Sequence, residues 1–340
     1  MGDIRLRVLH VGPKNYPPNH GGVEKIVYDL VTGMPEVENH IFTEWEPQID
    51  CPRVMALPKG LFHQLRTVHA YAIKESIDII HVHKETFIPL GLLLKLFGHR
   101  CVVTIHGCAW RLARWPFYKR MILFVFDCLA CCLLDRTVFV GEHDWRLFKR
   151  IIPFRKLCLI RNGVHIRGEP RAPKEDGMIY LGRISPEKNI VGLIKAAETA
   201  KVKLDLYGSF DRRDTKFSEI VRQIIQNSHY VQWKGPVAFN AVPETLSRYP
   251  VFINASFSEG LPTSVLEATA KGLYLVLSDI PQHRLLRMPD CMYVSPHQID
   301  LTGIPRDHER LGLANREYVE QEFSASKMIE GYFKLYKDLS

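Results

Sequence analysis

The sequence predicts an α/β protein made of two Rossmann-like, doubly wound parallel-sheet domains, and three observations carry that expectation. Short, β-branched, nearly continuous apolar runs recur through both halves, as strands covered on both faces do. Helical patterns fill the intervals, and parallel strands need such crossovers. A length of 340 residues is also more than one core ordinarily organises. In the first half the strands are expected at 5–11 (RLRVLHV), 78–83 (DIIHVH), 101–107 (CVVTIHG) and 136–141 (RTVFVG). In the second half they are expected at 178–184 (MIYLGRI), 203–209 (KLDLYGS), 230–235 (YVQWKG), 251–256 (VFINAS) and 274–279 (YLVLSD). Between the halves, RGEPRAPKEDG (167–177) has two prolines, two glycines and six charges without apolar periodicity, so it reads as a linker.

Composition narrows the class. An apolar content of 46% with 24% charged residues is ordinary for a soluble globular chain and excludes a disordered one. The first dozen residues, MGDIRLRVLHVG, carry charge inside a short apolar run and read as a first strand rather than a secretory or lipidation signal. Eight cysteines with no secretory signal point to free thiols in a reducing compartment. Those of CLACC (128–132) have no second Cys or His pair at zinc spacing and read as buried helix thiols. The net charge of +8 is uneven: 23 Lys and Arg face 15 Asp and Glu in residues 1–168, against 22 and 22 in 169–340. The first half is therefore expected to meet something anionic, a phosphate-bearing acceptor, an acidic membrane surface or nucleic acid.

In open α/β sheets ligands bind beyond the carboxyl ends of the strands, so the residues there are the candidates. After the first strand, Gly21 and Gly22 precede a helix; adjacent glycines allow close backbone approach, and helix-terminal N–H groups favour an anion, although an ordinary loop looks the same. The spacing is not G-x-G-x-x-G and no acid follows at the ribose distance, which speaks against a dehydrogenase. His106, ending CVVTIHG, is placed to donate to a phosphate or a sugar hydroxyl. His81 and His83 share one strand face, but no third ligand stands at recognisable spacing, so a structural or cleft-lining role is expected. In LGRISPEKN (181–189), Arg183 and Lys188 lie beyond a strand end and suit a diphosphate.

FSEGLPTSVLE (257–267) holds two acids. Glu259 falls in the loop after a strand, and Pro262 opens a helix that carries Glu267. Carboxylates repel a diphosphate but accept two hydrogen bonds from a vicinal diol, and a sugar nucleotide has such diols on both sides of its pyrophosphate. Around Gly260, Leu261, Pro262, Thr263 and Ser264 the first helical N–H groups, Pro262 itself having none, are then free for the phosphate.

Taken in order, GG-VE (21–24), the strand end 104–107, NG (162–163), LGRISPEKN and the E-x7-E of EGLPTSVLE resemble the GT-B glycosyltransferases of family 4. The closing EFSASKMIEGYFKLYKDL (322–339) resembles that family's C-terminal helix, so the likeness covers essentially the whole chain. The resemblance implies a GT-B fold with two domains facing a cleft: an acceptor-side domain over 1–168, a nucleotide-sugar domain over 169–321, and a helix over 322–340 crossing back to the first domain. It implies retention of anomeric configuration and no bound metal or other cofactor; no Asp-x-Asp triplet occurs. The single flexible linker makes closure of the two domains around the donor the expectation. It also implies roles: Gly21 and Gly22 at the donor phosphate, His106 at the donor sugar or its phosphate, Arg183 and Lys188 on the diphosphate, Glu259 on the transferred sugar and Glu267 on the ribose. The donor would be a UDP- or GDP-linked sugar. The sequence departs from the family pattern at His165 and Tyr274, which bears on the linker path and one turn.

On the acceptor side, residues 110–135 join Trp110, Arg111, Arg114, Trp115, Lys119 and Arg120 to the apolar MILFVFDCLACCLL. Fourteen residues including Asp127 are too few to span a bilayer, so this stretch reads as a buried helix, with the basic aromatic part lying on an anionic membrane. The resulting expectation is transfer to a lipid-linked or cell-envelope polysaccharide acceptor, such as a lipopolysaccharide precursor, at the cytoplasmic face of the membrane. The alternatives are a sugar-nucleotide epimerase of the same architecture, against which the basic amphiphilic patch speaks, and a non-catalytic basic binding module. Nucleic acid is not an expected partner, since no stacking platform or groove-reading helix is found.

Overall fold

The structure is a computed structural model that describes residues 5–19, 21–47, 49–112, 115–152, 156–170, 172–211 and 214–340. It divides into two compact units, Met1–Gly163 with Ala325–Ser340, and Val164–Ser324. Unit 1 holds strands β1 (Leu6–Val11), β2 (Val37–Thr43), β3 (Val54–Ala56), β4 (Ile79–Val82), β5 (Cys101–Ile105), β6 (Arg136–Phe139) and β7 (Leu157–Leu159). Its first helices are α1 (Gly22–Gly33), α2 (Leu61–Lys74), α3 (Ile88–Leu96), α4 (Phe117–Leu133) and α5 (Glu142–Ile151). Unit 2 holds β8 (Met178–Leu181), β9 (Leu204–Tyr207), β10 (Val231–Gly235), β11 (Val251–Asn254), β12 (Tyr274–Ser278) and β13 (Cys291–Val294). Its helices are α6 (Ile190–Ala200), α7 (Thr215–Gln226), α8 (Val242–Leu246), α9 (Thr263–Ala270), α10 (Pro281–Arg284) and α11 (His308–Glu322), after which α12 (Ala325–Lys337) belongs to unit 1.

Both sheets are parallel throughout their described pairings. Sheet 1 runs β3-β2-β1-β4-β5-β6-β7 and sheet 2 runs β10-β9-β8-β11-β12-β13. Strand order therefore reverses between β1 and β4 in unit 1, and between β8 and β11 in unit 2. These are the switch points at which loops diverge and leave room for a ligand.

Alternation along β1 shows how the pleat sorts side chains. Leu9 and Val11 join Ile80, Val82, Leu90, Leu94 and Ala130 on the face covered by α2, α3 and α4. Val8 faces the other way, with Ile26, Leu30, Ile79, Met328, Tyr332 and Tyr336 of the α1 and α12 layer. A Cβ on Gly33 of α1 would run into Ile329 of α12, so glycine permits that close packing.

The structure differs from the sequence expectation in three places. The chain passes between units at 163/164 and again at 324/325, not within 167–177. Val164 bridges Ser324 and donates to the Phe323 carbonyl at 2.8 Å, while Arg167 and Gly168 carbonyls accept from Lys271 and Arg316 of unit 2. Second, β2, β3, β7 and β13 were not expected. VENHIFT of β2 lacks an apolar pattern because its polar residues are compensated: Glu38 lies 3.5 Å from Arg7 and 3.3 Å from Arg53. Third, α4 is not a buried helix: Asp127, Ala130 and Cys131 turn inward, and its other large apolar side chains are exposed or half-buried. Arg114, in the basic aromatic stretch before it, lies outside the described residues. No described helix is long and apolar enough to cross a membrane.

Candidate functional site

In unit 2 the candidates gather at the β8/β11 switch point. The loop after β8 is shaped from below by Tyr180, whose hydroxyl donates to the Arg183 carbonyl at 2.9 Å. Gly208, at φ +143 beyond β9, lies so close to the Gly182 carbonyl that any Cβ would collide with it. Pro186–Lys188 make a single 3-10 turn, and Asn189 stops it in the left-handed region at φ +55 before α6 begins. The Phe257 N–H then donates to the Glu187 carbonyl at 3.0 Å, tying this loop to the one after β11.

That tie brings two candidates into contact. Lys188 Nζ donates to Glu259 Oε1 at 2.6 Å, with the Lys188 side chain 19% and the Glu259 side chain 7% exposed. Asn254, at the end of β11, donates to the same oxygen at 3.1 Å. Ser256 Oγ lies 2.7 Å from both Glu259 Oε1 and Asn254 Oδ1, and its one proton serves one of them. All these bonds converge on Oε1, so Oε2 is what the carboxylate can offer a hydroxyl. Burial pushes the Glu259 carboxyl up, but Lys188, His283 and the hydrogen bonds more than offset it and hold the group below its usual range. The site keeps Glu259 ionised.

Arg183 is not part of this pair. Its side chain is 43% exposed, against 8% for its partner, and its guanidinium sits 3.4 Å from Asp211 Oδ2, so it is partly open to an anion. Pro262 caps α9, which starts at Thr263 with no side-chain cap bond, and Gly260 and Leu261 lead into it. Glu267 is half-buried on α9, just over one turn in. One residue that the sequence reading missed joins the group. His283, on α10 after β12, is fully buried and places Nδ1 2.9 Å from the Ser278 carbonyl. A carbonyl only accepts, so Nδ1 carries the proton and buried Nε2 is an acceptor without a partner. Burial lowers its pKa, partly offset by Glu259. The rule that singled out His106, a histidine just past a strand end, would have found it.

In unit 1, Gly21 stands at φ +116 before α1, and a Cβ there would overlap the Glu24 carboxylate. Glu24 folds back over the start of its own helix, accepts the Lys14 N–H at 2.9 Å and lies 3.5 Å from Lys84 Nζ, which also pairs with Glu44. A carboxylate thus already stands at the helix N-terminus where the sequence reading put a phosphate. The missing Cβ of Gly21 makes room for Glu24.

His106 follows β5, with Nε2 out of solvent contact and unpartnered. Burial lowers its pKa to about 4, Glu24 working against this and Lys84 with it, so the ring is neutral near pH 7. The third imidazole absent from the sequence around His81 and His83 comes from the neighbouring strand: His10 on β1 pairs with His81 on β4. His10 contacts His83 Nε2 and Asn39 Oδ1 at 2.9 Å each, while His81 contacts Tyr336 Oη at 2.5 Å and Thr104 Oγ1 at 2.8 Å. Nitrogens of the three lie within 4.8 Å of one another. Both nitrogens of His10 and of His81 are already engaged, which is the bonding of a packed core cluster.

Comparisons with known proteins agree with this architecture. The chain matches the family model "Glycosyltransferase Family 4" over residues 20–167 and "Glycosyl transferases group 1" over residues 165–285. A GDP-mannose:cellobiosyl-diphosphopolyprenol alpha-mannosyltransferase of Xanthomonas oryzae pv. oryzae is 24% identical over 304 residues, 81% of this chain and 79% of that protein. A UDP-Gal:alpha-D-GlcNAc-diphosphoundecaprenol alpha-1,3-galactosyltransferase of Escherichia coli is 25% identical over 238 residues, 61% of this chain and 59% of that one. The solved sucrose-phosphate synthase of Thermosynechococcus elongatus superposes with a TM-score of 0.83 over 98% of this chain and 99% of that one, at 17% identity, and supports the GT-B fold for these two parallel-sheet units. With two adjoining family matches running from residue 20 to residue 285 over two Rossmann-ordered sheets, the chain belongs to the glycosyltransferases of family 4, group 1.

Proposed function

We propose that this glycosyltransferase moves a sugar from a nucleoside-diphosphate sugar, UDP- or GDP-linked, to a lipid-diphosphate-linked acceptor for a cell-envelope glycan, with retention of configuration and without a metal or other cofactor. The observation that carries the donor side is the Lys188–Glu259 pair at the β8/β11 switch point, with exposed Arg183 nearby in sequence. On this reading Lys188 and Arg183 neutralise the departing diphosphate, which supplies electrostatically what a bound cation would otherwise provide. Glu259 orients hydroxyls of the transferred sugar through Oε2, and Glu267 takes the ribose diol. Neutral His106 serves as a hydrogen-bonding group at the donor rather than as a fixed charge. Gly260, Leu261, Pro262 and Thr263 bring the start of α9 to the phosphates. The acceptor class rests on the two relatives, both named for diphosphopolyprenol acceptors. On this reading the enzyme works at the cytoplasmic face of the membrane.

The test is a thermal-shift panel of UDP, GDP, ADP, CMP and their sugar conjugates in the presence of a chelator. One nucleoside diphosphate should stabilise the protein selectively; a ligand at a hundred times its Kd contributes about 2.7 kcal/mol. Flat melting curves for every nucleotide would remove the donor reading. NMR of the released glycoside then reports its anomeric configuration, and an inverted product would refute retention.

A further inference from the structure

The outward side of α4 is apolar from end to end. Phe117, Tyr118, Met121, Ile122, Val125, Leu129 and Leu133 are all exposed, Phe117 to 75%, Ile122 to 51% and Val125 to 49%. At 100° per residue these seven fall within one face less than half the helix circumference wide, and at 1.5 Å per residue the 17 residues of α4 present it over about 25 Å. The opposite side is committed to the unit 1 core: Ala130 packs with Leu90 and Leu94 of α3, and Cys131 with Ile105 and Phe139. The face is thus left over after folding, and it is larger than scattered surface apolars explain. At the end of α3, against which α4 packs, Leu96 and Phe97 are exposed too.

We infer that this α4 face is the membrane-docking surface, seated in the interfacial layer of a bilayer carrying anionic lipid. The inference rests on the lipid-linked acceptor of the proposed function and assigns the contact to α4 instead of the stretch before it. Charge selects the occupant. Residues 1–168 hold 23 Lys and Arg against 15 Asp and Glu, and α4 itself opens with Lys119 and Arg120. A second copy of the chain would bring the same basic excess against itself, whereas an anionic lipid surface complements it. The helix has the build of an interfacial element: apolar outward, cationic at one end, and too short to span. An enzyme docked this way meets a polyprenol-linked acceptor by diffusion in two dimensions.

The experiment is vesicle flotation of the full chain with phosphatidylcholine containing 30 mol% phosphatidylglycerol (roughly the anionic content that gives a strongly negative surface). The wild type is compared with Ile122→Glu/Val125→Glu, two exposed positions whose change leaves the core intact. The wild type should float, and the double variant should lose about tenfold or more in bound fraction. Both proteins should melt alike and keep the same shift with the stabilising nucleotide, which separates failure of docking from failure of the donor reading. The inference is overturned if the wild type stays at the bottom of the gradient or if the variant floats equally well. It is also overturned if light scattering shows a wild-type dimer that the variant dissolves, since the face would then belong to a second copy.

Discussion

The Lys188–Glu259 contact joins stability and chemistry in one pair of side chains. Removing the lysine alone leaves a buried carboxylate whose remaining support is Asn254 and Ser256. Lys188→Met should therefore cost up to about 3 kcal/mol in urea unfolding, since breaking a buried pair strands the surviving charge. It should also lower turnover roughly 10² to 10³-fold, the scale of one preorganised donor at a developing charge. The double variant Lys188→Met/Glu259→Gln restores most of the stability, because the neutral amide needs no cation, but not the turnover. A double variant as unstable as the single one would show that the pair is not what holds these loops together. The sequence showed both residues, but not that they touch, because they stand 71 positions apart and meet only through strand order. His10 was hidden for the same reason.

At the scale of elements, the strands with unbroken β-branched runs were legible, and those held by polar compensation or by three residues were not. β2 shows why: its Glu38, Asn39 and His40 find partners on β1, on the β3 side and on α2, and no local pattern records such partners. α4 is legible as a helix, but apolar content alone does not tell a buried helix from one whose apolar side faces outward, as most of this one does. Its inner side instead buries Asp127, beside Glu85 and Cys108, with their functional atoms within 4.8 Å of one another. Burial, then Asp144, raises the Asp127 pKa to about 8, and burial, then Asp127, raises that of Glu85 well above the usual range. A carboxyl whose folded pKa is raised favours folding least when ionised. Its penalty grows as pH rises from the unfolded value near 4 to the folded value, and is complete above it. Asp127→Asn should therefore raise the melting temperature, by little near pH 4 and increasingly up to about pH 8, where the gain levels. Equal gains at pH 5 and pH 9 would contradict a protonated, buried acid under α4.

Across the whole molecule these buried groups set opposing pH limits. His10 and His106 fall to about 4, burial being the first cause for both. His81 and His83 are held well below the ordinary value, again first by burial. A lowered histidine contributes stability that is complete above the unfolded value near 6.5 and is lost as pH falls toward the folded one. For His10 or His106 a fall from 6.5 to about 4 corresponds to on the order of 3 kcal/mol at 1.36 kcal/mol per pH unit. Glu85 and Asp127 act in the other direction between about pH 4 and pH 8. Four imidazoles outweigh two carboxyls wherever both titrate, so stability should rise with pH up to about 6.5. Beyond that the histidines contribute no further change while the acids continue to ionise, and stability should fall toward pH 8. Calorimetric melting from pH 4.5 to 9 should trace a maximum near neutrality, well below the sequence pI of 9.0. Asp127→Asn should steepen the rise on the acid side and flatten the fall on the alkaline side. A melting temperature that rises to about pH 6.5 and then stays level to pH 9 would mean that the acids under α4 are already ionised near pH 5 in the folded protein, and that the histidine cluster alone governs its response to pH.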